Sequence, residues 1–159
     1  MLMNLFKFKG GVKPPTNKTQ SLTLPIAQAP LPSRLIVPLH QSIGGTPRPV
    51  VQAGDKVLKG QLIGKADGWI SAAVHAPTSG SVLEVAMHVQ PHPSGLDALC
   101  VVIEPDGKDE WIAHGPLDYA AMTPEAVREH LQQSGVVGLG GAAFPTHVKL
   151  TASKTVPMD

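Results

Sequence analysis

The sequence is short of cysteine, of net charge and of long apolar runs. Its 159 residues include one cysteine, Cys100, so neither a disulfide framework nor a cysteine-rich metal site can be built from it. A formal net charge of +1 gives no electrostatic reason to expect nucleic acid as a partner. No stretch approaches the roughly 18 apolar residues of a membrane span, and the first residues lack the pattern of a signal peptide. We therefore expect a protein of the cytoplasm that does not span a membrane.

Turn-forming residues, in contrast, are abundant. The chain contains 16 glycines and 16 prolines, each about a tenth of its length, which disfavours long helices over most of it. Hydrophobic residues make up 42%, enough to bury a core. Prolines crowd residues 1–34 and block regular strand pairing there. We interpret residues 1–34 as an extended, proline-rich wrap over a core formed later in the chain.

Residues 35–116 have the pattern of a small β domain. Short apolar strand candidates alternate with glycine-containing turns every few residues, which favours a small sandwich or barrel. The predicted strands are residues 34–39, 50–51, 55–58, 61–63, 69–72, 74–76, 80–85 and 98–104.

Residues 117–159 begin differently, with the one well-marked helix. Thr123 suits its N-cap, Pro124 its first position and Gly135 the residue after its C-terminus. Thr146 is expected to cap a second helix, whose N-terminal dipole would favour an anion. Lys149 lies where a cation could reach a phosphate. The stretch before it reads Gly138-Leu139-Gly140-Gly141-Ala142-Ala143-Phe144-Pro145-Thr146.

Three glycines within four positions of that stretch let the backbone approach a ligand and direct N–H groups at an anion. On spacing alone a plain turn remains the alternative. The histidines suggest no catalytic or metal site. His88 and His92 are four residues apart, but Pro91 lies between them and Pro93 follows, so they do not share a helical face. We assign no catalytic and no metal-binding residue.

The order of residues in 53–64, followed by Ala76-Pro77-Thr78-Ser79-Gly80, resembles the barrel-sandwich hybrid fold of lipoyl and biotinyl carrier domains. A carrier domain presents its modified lysine at the tip of the hairpin between these two segments. Here Asp67-Gly68 occupies the expected tip, and Lys65 lies before the turn. The resemblance therefore favours this mainly β fold as a scaffold, with a modified carrier as the weaker alternative.

A more specific resemblance extends over nearly the whole chain. The glycine-rich stretch is similar to the Gly-Leu-Gly-Gly-Ala-Gly-Phe-Pro-Thr loop of RnfC, a soluble component of the Rnf ion-translocating electron-transport complex. The stretch from Phe8 to Pro15 is similar to that family's opening, although Lys13 stands where the family usually has histidine. Residues 76–80, 91–96 and 102–107 also match. The fold implied is a barrel-sandwich hybrid domain over residues 35–116, then one helix and the start of an α/β flavin-binding domain.

The resemblance implies a peripheral, NADH-oxidising subunit that binds FMN and passes electrons through 4Fe–4S clusters to the membrane subunits of the complex. It also implies a location at the cytoplasmic face of the inner membrane. In this family the glycines would offer backbone to the flavin, Lys149 would face its phosphate or ring, and Phe144 would stack on the nicotinamide nucleotide. The cofactor-binding residues carried over by position are Gly138, Gly140, Gly141, Ala142, Phe144, Thr146 and Lys149.

Two departures from the family limit this expectation. Ala143 replaces a glycine, and if that residue needs a positive φ its methyl group costs on the order of 1 kcal/mol. The chain also stops at Asp159 without the family's nucleotide domain or cluster motifs, and one cysteine cannot supply the four thiolates of a 4Fe–4S cluster. We expect no redox activity from this chain alone. The alternative is a scaffold that docks onto the other subunits without redox activity.

Overall fold

A computed structural model describes Gly11 and residues 14–151, which fall into two units, one up to Pro30 and one from Leu31 onward. In the first unit a short 3-10 helix covers Thr19–Ser21. The predicted wrap of residues 1–34 over the barrel stays a prediction, and most of the motif that begins at Phe8 lies outside the described residues. Residues 152–159, the end of the predicted third region, also lie outside the described residues.

The second unit is mainly β, as predicted, and its strands form two antiparallel sheets. The larger sheet has the order β1-β7-β6-β3, and the smaller has the order β2-β4-β5. The strands are β1 (Leu35–Pro38), β2 (Arg48–Pro49), β3 (Lys56–Val57), β4 (Leu62–Lys65), β5 (Val74–His75), β6 (Gly80–Val89) and β7 (Asp97–Pro105).

Both sheets contribute to one apolar core. Val101 and Ile103 of β7 pack with Val82 of β6 and with Ile63 of β4 in the other sheet. The single cysteine, Cys100, is fully buried in β7, and the Gln90 amide lies 3.2 Å from its Sγ. This fits the short apolar run predicted as a strand at residues 98–104.

Two predicted strands are wrong. The second strand is Arg48–Pro49 and ends before residues 50–51, although the Val50 N–H still donates to the Ile63 carbonyl at 3.0 Å. Residues 69–72 form no strand, because a turn precedes them at Gly68 (φ +86°) and the carbonyls of Trp69, Ile70 and Ser71 bond to other elements. The Ile70 carbonyl, for example, accepts from the Gly45 N–H at 2.8 Å.

A 3-10 helix at Tyr119–Ala121 follows the barrel, and after it come two α-helices, α1 (Pro124–Gln133) and α2 (Thr146–Lys149). The predicted start of α1 is confirmed, since the Thr123 hydroxyl accepts from the Ala126 N–H at 3.2 Å and Pro124 is the first helical residue. Its predicted end is also confirmed, with Ser134 as C-cap and Gly135 next at φ +68°. Among the described residues, no helix has the length and apolar content that a membrane crossing requires.

Candidate functional site

The glycine-rich stretch forms a hairpin, residues 136–146, called here the glycine hairpin. Its two ends are paired, because the Gly138 N–H donates to the Phe144 carbonyl at 2.9 Å and the Thr146 N–H donates to the Val136 carbonyl at 3.0 Å. At the tip the Ala143 N–H closes a turn on the Gly140 carbonyl at 3.0 Å. The segment is therefore an ordered reversal with defined bonds.

The backbone at the tip of this hairpin is open. The N–H groups of Gly140 and Gly141 donate to no acceptor within the described part of the chain. An alanine Cβ at either position would have no described atom within 4 Å, apart from its immediate chain neighbours. The neighbouring Leu139 is 100% exposed. A ligand could thus approach the main chain here and receive its hydrogen bonds.

Ala143 occupies the left-handed region at φ +44°, as expected if its position requires the family's glycine conformation. A left-handed conformation costs an L-residue about 1–2 kcal/mol. The turn bond from the Ala143 N–H to the Gly140 carbonyl and the pairing of Phe144 with Gly138 hold it there. The hairpin therefore keeps the glycine-type backbone although a methyl group is present.

Lys149 places the one charge of the predicted set beside the hairpin. Its Nζ lies 6.0 Å from the centroid of the Phe144 ring. The same Nζ occupies the space in which a Cβ at Gly138 would stand. The predicted residues Gly138, Gly140, Gly141, Ala142, Phe144, Thr146 and Lys149 therefore lie together on the glycine hairpin and the single turn of α2.

The predicted role of Thr146 as a helix cap is wrong. Pro145 occupies the N-cap position, and Thr146 is the first residue of α2, with its N–H committed to the Val136 carbonyl. The helix has four residues, so it supplies little of the dipole predicted for an anion site. Any anion at the hairpin would depend on the N–H groups of the tip and on Lys149.

One contact of the hairpin was missed from the sequence. His147, one of the histidines that suggested no catalytic or metal site in the sequence, is 1% exposed, and its Nε2 lies 2.8 Å from the Trp69 carbonyl. The Trp69 ring meets the imidazole edge-on, with 5.3 Å between centroids. A signal was available, since His147 directly follows the glycine-rich motif, but its partner is 78 residues away in the chain.

The other histidines singled out in the sequence have partners of their own. His88 Nε2 lies 3.1 Å from the Glu84 carboxylate, and His92 Nδ1 lies 2.9 Å from the Ser94 hydroxyl. Within the ranges that the structure covers, no three histidine, cysteine, aspartate or glutamate side chains are grouped to hold a metal ion.

Comparison with known protein families identifies the family of the barrel domain. The model of the RnfC barrel sandwich hybrid domain matches residues 6–108, well over half of the chain. The predicted barrel-sandwich hybrid fold is thereby confirmed, together with the resemblance found in the sequence motifs.

Curated relatives extend the match into the glycine hairpin. A Pseudomonas aeruginosa protein, named as a subunit of an ion-translocating oxidoreductase complex, is 50% identical over 149 residues, which are 93% of this chain and 19% of that protein. Proteins of the same name from Serratia proteamaculans and Haemophilus influenzae are 45% and 41% identical, over 92% and 94% of this chain and 21% and 23% of their own lengths. The chain spans about a fifth of these relatives. It belongs to the RnfC barrel sandwich hybrid domain family.

Proposed function

We propose that this chain supplies the barrel domain and one wall of the FMN and NADH site of an electron-transfer subunit in an ion-translocating oxidoreductase complex. The subunit would lie peripherally at the cytoplasmic face of the inner membrane and deliver electrons to the membrane subunits. The proposal draws on relatives named as subunits of such a complex and on the form of the glycine hairpin.

The observation that carries the proposal is the open backbone at Gly140 and Gly141. Both N–H groups lack acceptors in the described residues, and both Cα atoms face free space. A flat ring or a phosphate needs this kind of unobstructed main chain with hydrogen-bond donors to approach closely. The residues present therefore fit one side of a flavin nucleotide.

The side chains around the tip suit the remaining parts of such a ligand. The Lys149 ammonium would neutralise a phosphate, and the Phe144 ring would offer an apolar face to a nicotinamide or flavin ring. When bound, FMN would accept a hydride from NADH and release electrons singly. The chain's own task is to hold and orient these groups through the hairpin.

The 4Fe–4S clusters of the family do not fit this chain. A cluster needs four thiolates, and the sole cysteine, Cys100, is buried in the barrel core. We therefore assign this chain no step of cluster chemistry. One hairpin also cannot enclose an isoalloxazine ring, so we expect the isolated chain to form no tight FMN complex.

The test uses the Pseudomonas aeruginosa relative with its matching segment replaced by this chain, titrated with FMN by fluorescence. Gly140→Ala and Gly141→Ala should each weaken FMN binding on the order of tenfold, about 1.4 kcal/mol, because the new methyl group enters the ligand's space. Gly115→Ala is the matched control, since its Cβ also meets nothing within 4 Å. Unchanged affinity in both hairpin variants would contradict the proposal.

The role of Lys149 is resolved by comparing FMN with riboflavin, which lacks the phosphate. If Lys149 faces the phosphate, Lys149→Gln should weaken FMN binding and leave riboflavin binding unchanged. Weakening of both ligands would place the ammonium at the ring. Lys65→Gln is the control, because Lys65 is an exposed lysine in β4 of the barrel.

A docking role without redox activity is the second candidate, and the end of the β6–β7 hairpin favours it. Val85 packs against the core, and Met87 and Val89 continue its side of β6 but are 59% and 67% exposed. Such an apolar row is a natural contact for another subunit. If so, Met87→Ser combined with Val89→Ser should abolish capture by the other subunits of the complex, while FMN titration of the chimera stays unchanged.

A further inference from the structure

The turn at residues 68–71 of the barrel, called here the carbonyl turn, bonds outward through four successive carbonyl groups. The Gly68 and Ser71 carbonyls accept from the Gln132 amide of α1 at 3.1 and 3.2 Å. The Trp69 carbonyl accepts from His147 of α2 at 2.8 Å, and the Ile70 carbonyl from the Gly45 N–H at 2.8 Å. This row bonds to elements on both sides of the glycine hairpin.

His147 is the attachment on the C-terminal side of the glycine hairpin. A backbone carbonyl only accepts hydrogen bonds, so His147 Nε2 must carry the hydrogen that reaches Trp69. The side chain is 1% exposed, and its Nδ1 has no partner within the described part of the chain. Within the ranges that the structure describes, the bond to Trp69 is thus the one hydrogen bond of the imidazole, and it joins α2 to the barrel.

The tip of the hairpin is attached on its other side through Ile43. The Ile43 N–H donates to the Ala142 carbonyl at 3.2 Å. Two residues further on, the Gly45 N–H donates to the Ile70 carbonyl of the carbonyl turn. The hairpin is therefore held at its tip and at its end by segments that meet at the same four residues.

We propose that the carbonyl turn positions the glycine hairpin for its ligand, and that His147 is the positioning residue through which it acts. The idea rests on the proposed function, because it deepens the role of the same site. Glycine-rich backbone loses much conformational entropy when it is ordered. A hairpin already held by the barrel avoids that loss at the moment of binding. The hairpin tip of the barrel is where carrier domains present a lysine. In this chain that part of the barrel would instead hold the glycine hairpin in position through its carbonyl groups.

Two polar variants of the isolated chain test the role of His147. In His147→Gln the amide nitrogen stands near the place of Nε2 and can still reach the Trp69 carbonyl, whereas in His147→Asn the shorter amide cannot. Amide hydrogen exchange is then followed at Gly138 and Ala143, whose N–H groups are bonded within the hairpin. Amides of the β6–β7 pairing report the stability of the barrel itself.

We expect His147→Asn to speed exchange at Gly138 and Ala143 on the order of tenfold, with a much smaller change in β6–β7, and His147→Gln to restore slow exchange. Equal acceleration in both regions, or no change in the hairpin, would overturn the proposal. Should His147→Asn fail to fold, Gln132→Ala replaces it. That variant removes two bonds to the carbonyl turn and should speed exchange at Gly138.

Titration of the chimera with FMN keeps this idea separate from the proposed function. If exchange rises in His147→Asn and recovers in His147→Gln while neither variant nor Gly140→Ala changes FMN affinity, the positioning stands and the flavin site fails. If Gly140→Ala weakens FMN binding but exchange in the hairpin is unmoved by His147→Asn, the flavin site stands and the positioning is overturned.

Discussion

The barrel and the glycine hairpin are organised by opposite means. The barrel withdraws side chains from water, so that Ile63, Val101 and Ile103 have no exposed surface. The hairpin exposes its tip and leaves the N–H groups of Gly140 and Gly141 without acceptors among the described residues. Its shape depends on a few backbone bonds and on contacts with the barrel. Stability should therefore be concentrated in the first region, and the capacity to bind a ligand in the second.

The largest effect should come from opening a cavity in the barrel. Ile103→Ala removes a fully buried side chain of β7, and such changes cost about 2–5 kcal/mol. Ile36→Ala, on the adjacent strand β1, removes the same atoms from a side chain that is 41% exposed, and should cost below about 1 kcal/mol. Urea unfolding measures both. Equal losses would show that the core is less closely packed than its burial indicates.

Next in size is the junction between the two regions. Gly135 has a positive φ of +68°, and a Cβ there would meet the Ala73 carbonyl of the barrel. Gly107 has a similar φ of +77° with nothing within 4 Å. Gly107→Ala should therefore cost about 1 kcal/mol from backbone strain alone. Gly135→Ala should cost about 2 kcal/mol or more, because the barrel must also move.

Thermal unfolding of these two glycine variants separates strain from contact. The excess of Gly135→Ala over Gly107→Ala measures how closely the barrel and the segment before the hairpin are packed. If both variants lose the same stability, the hairpin is independent of the barrel at this point, and the contrast between the regions becomes a full separation.

A smaller effect, of the opposite sign, is expected inside the hairpin. Ala143→Gly should stabilise the chain by about 0.5 kcal/mol, because relief of the left-handed strain exceeds the entropy that glycine adds to the unfolded state. Ala142→Gly, one residue earlier and without a positive φ, should destabilise it by about 0.5–1 kcal/mol. A loss of stability in both variants would mean that the strain at Ala143 is absent in solution.

The smallest effect concerns pH. Burial lowers the pKa of His75 in β5 below its ordinary value of 6.5, and a hydrogen bond to the Gln133 backbone opposes this shift. The unfolded chain then binds a proton more readily than the folded one. Stability from this group is full above pH 6.5 and falls as the pH drops from there towards the lowered pKa.

Urea midpoints measured between about pH 7.5 and 5.5, on either side of the ordinary histidine pKa, test this titration. The native chain should lose stability over that interval, and His75→Gln should lose less, because it removes the titrating group. An identical pH dependence in the two proteins would exclude His75 as the source.

Most of the barrel and both ends of α1 could be predicted because their signals are local. Glycine turns separate short apolar strands, and Thr123, Pro124 and Gly135 mark both ends of α1. The positive φ of Ala143 agrees with the condition raised by the family motif, in which glycine stands at that position. These features depend on neighbours in the chain, and sequence patterns record such neighbours well.

What could not be predicted depends on partners outside the residue's own turn, helix or strand. The apolar residues 69–72 have the composition of a strand, but the Trp69 carbonyl bonds to His147, 78 residues later, and Ser71 bonds to Gln132. Thr146 has the residue type of a cap, but its N–H pairs with Val136 and Pro145 takes the capping position. A repeating hydrophobic pattern in the sequence cannot predict contacts of this kind, because each involves a single side chain or backbone group.

Because the Cys100 thiol is buried, the rate at which it reacts reports how often the barrel opens. It is the only cysteine among the 159 residues and has no exposed surface, so a thiol reagent can reach it only when β7 separates from its neighbours. A second thiol introduced by Leu139→Cys, at the fully exposed tip of the hairpin, would react at once. One labelling time course would therefore show two phases. The fast phase reports the thiol introduced at the hairpin tip, and the slow phase gives the rate at which the barrel opens around Cys100.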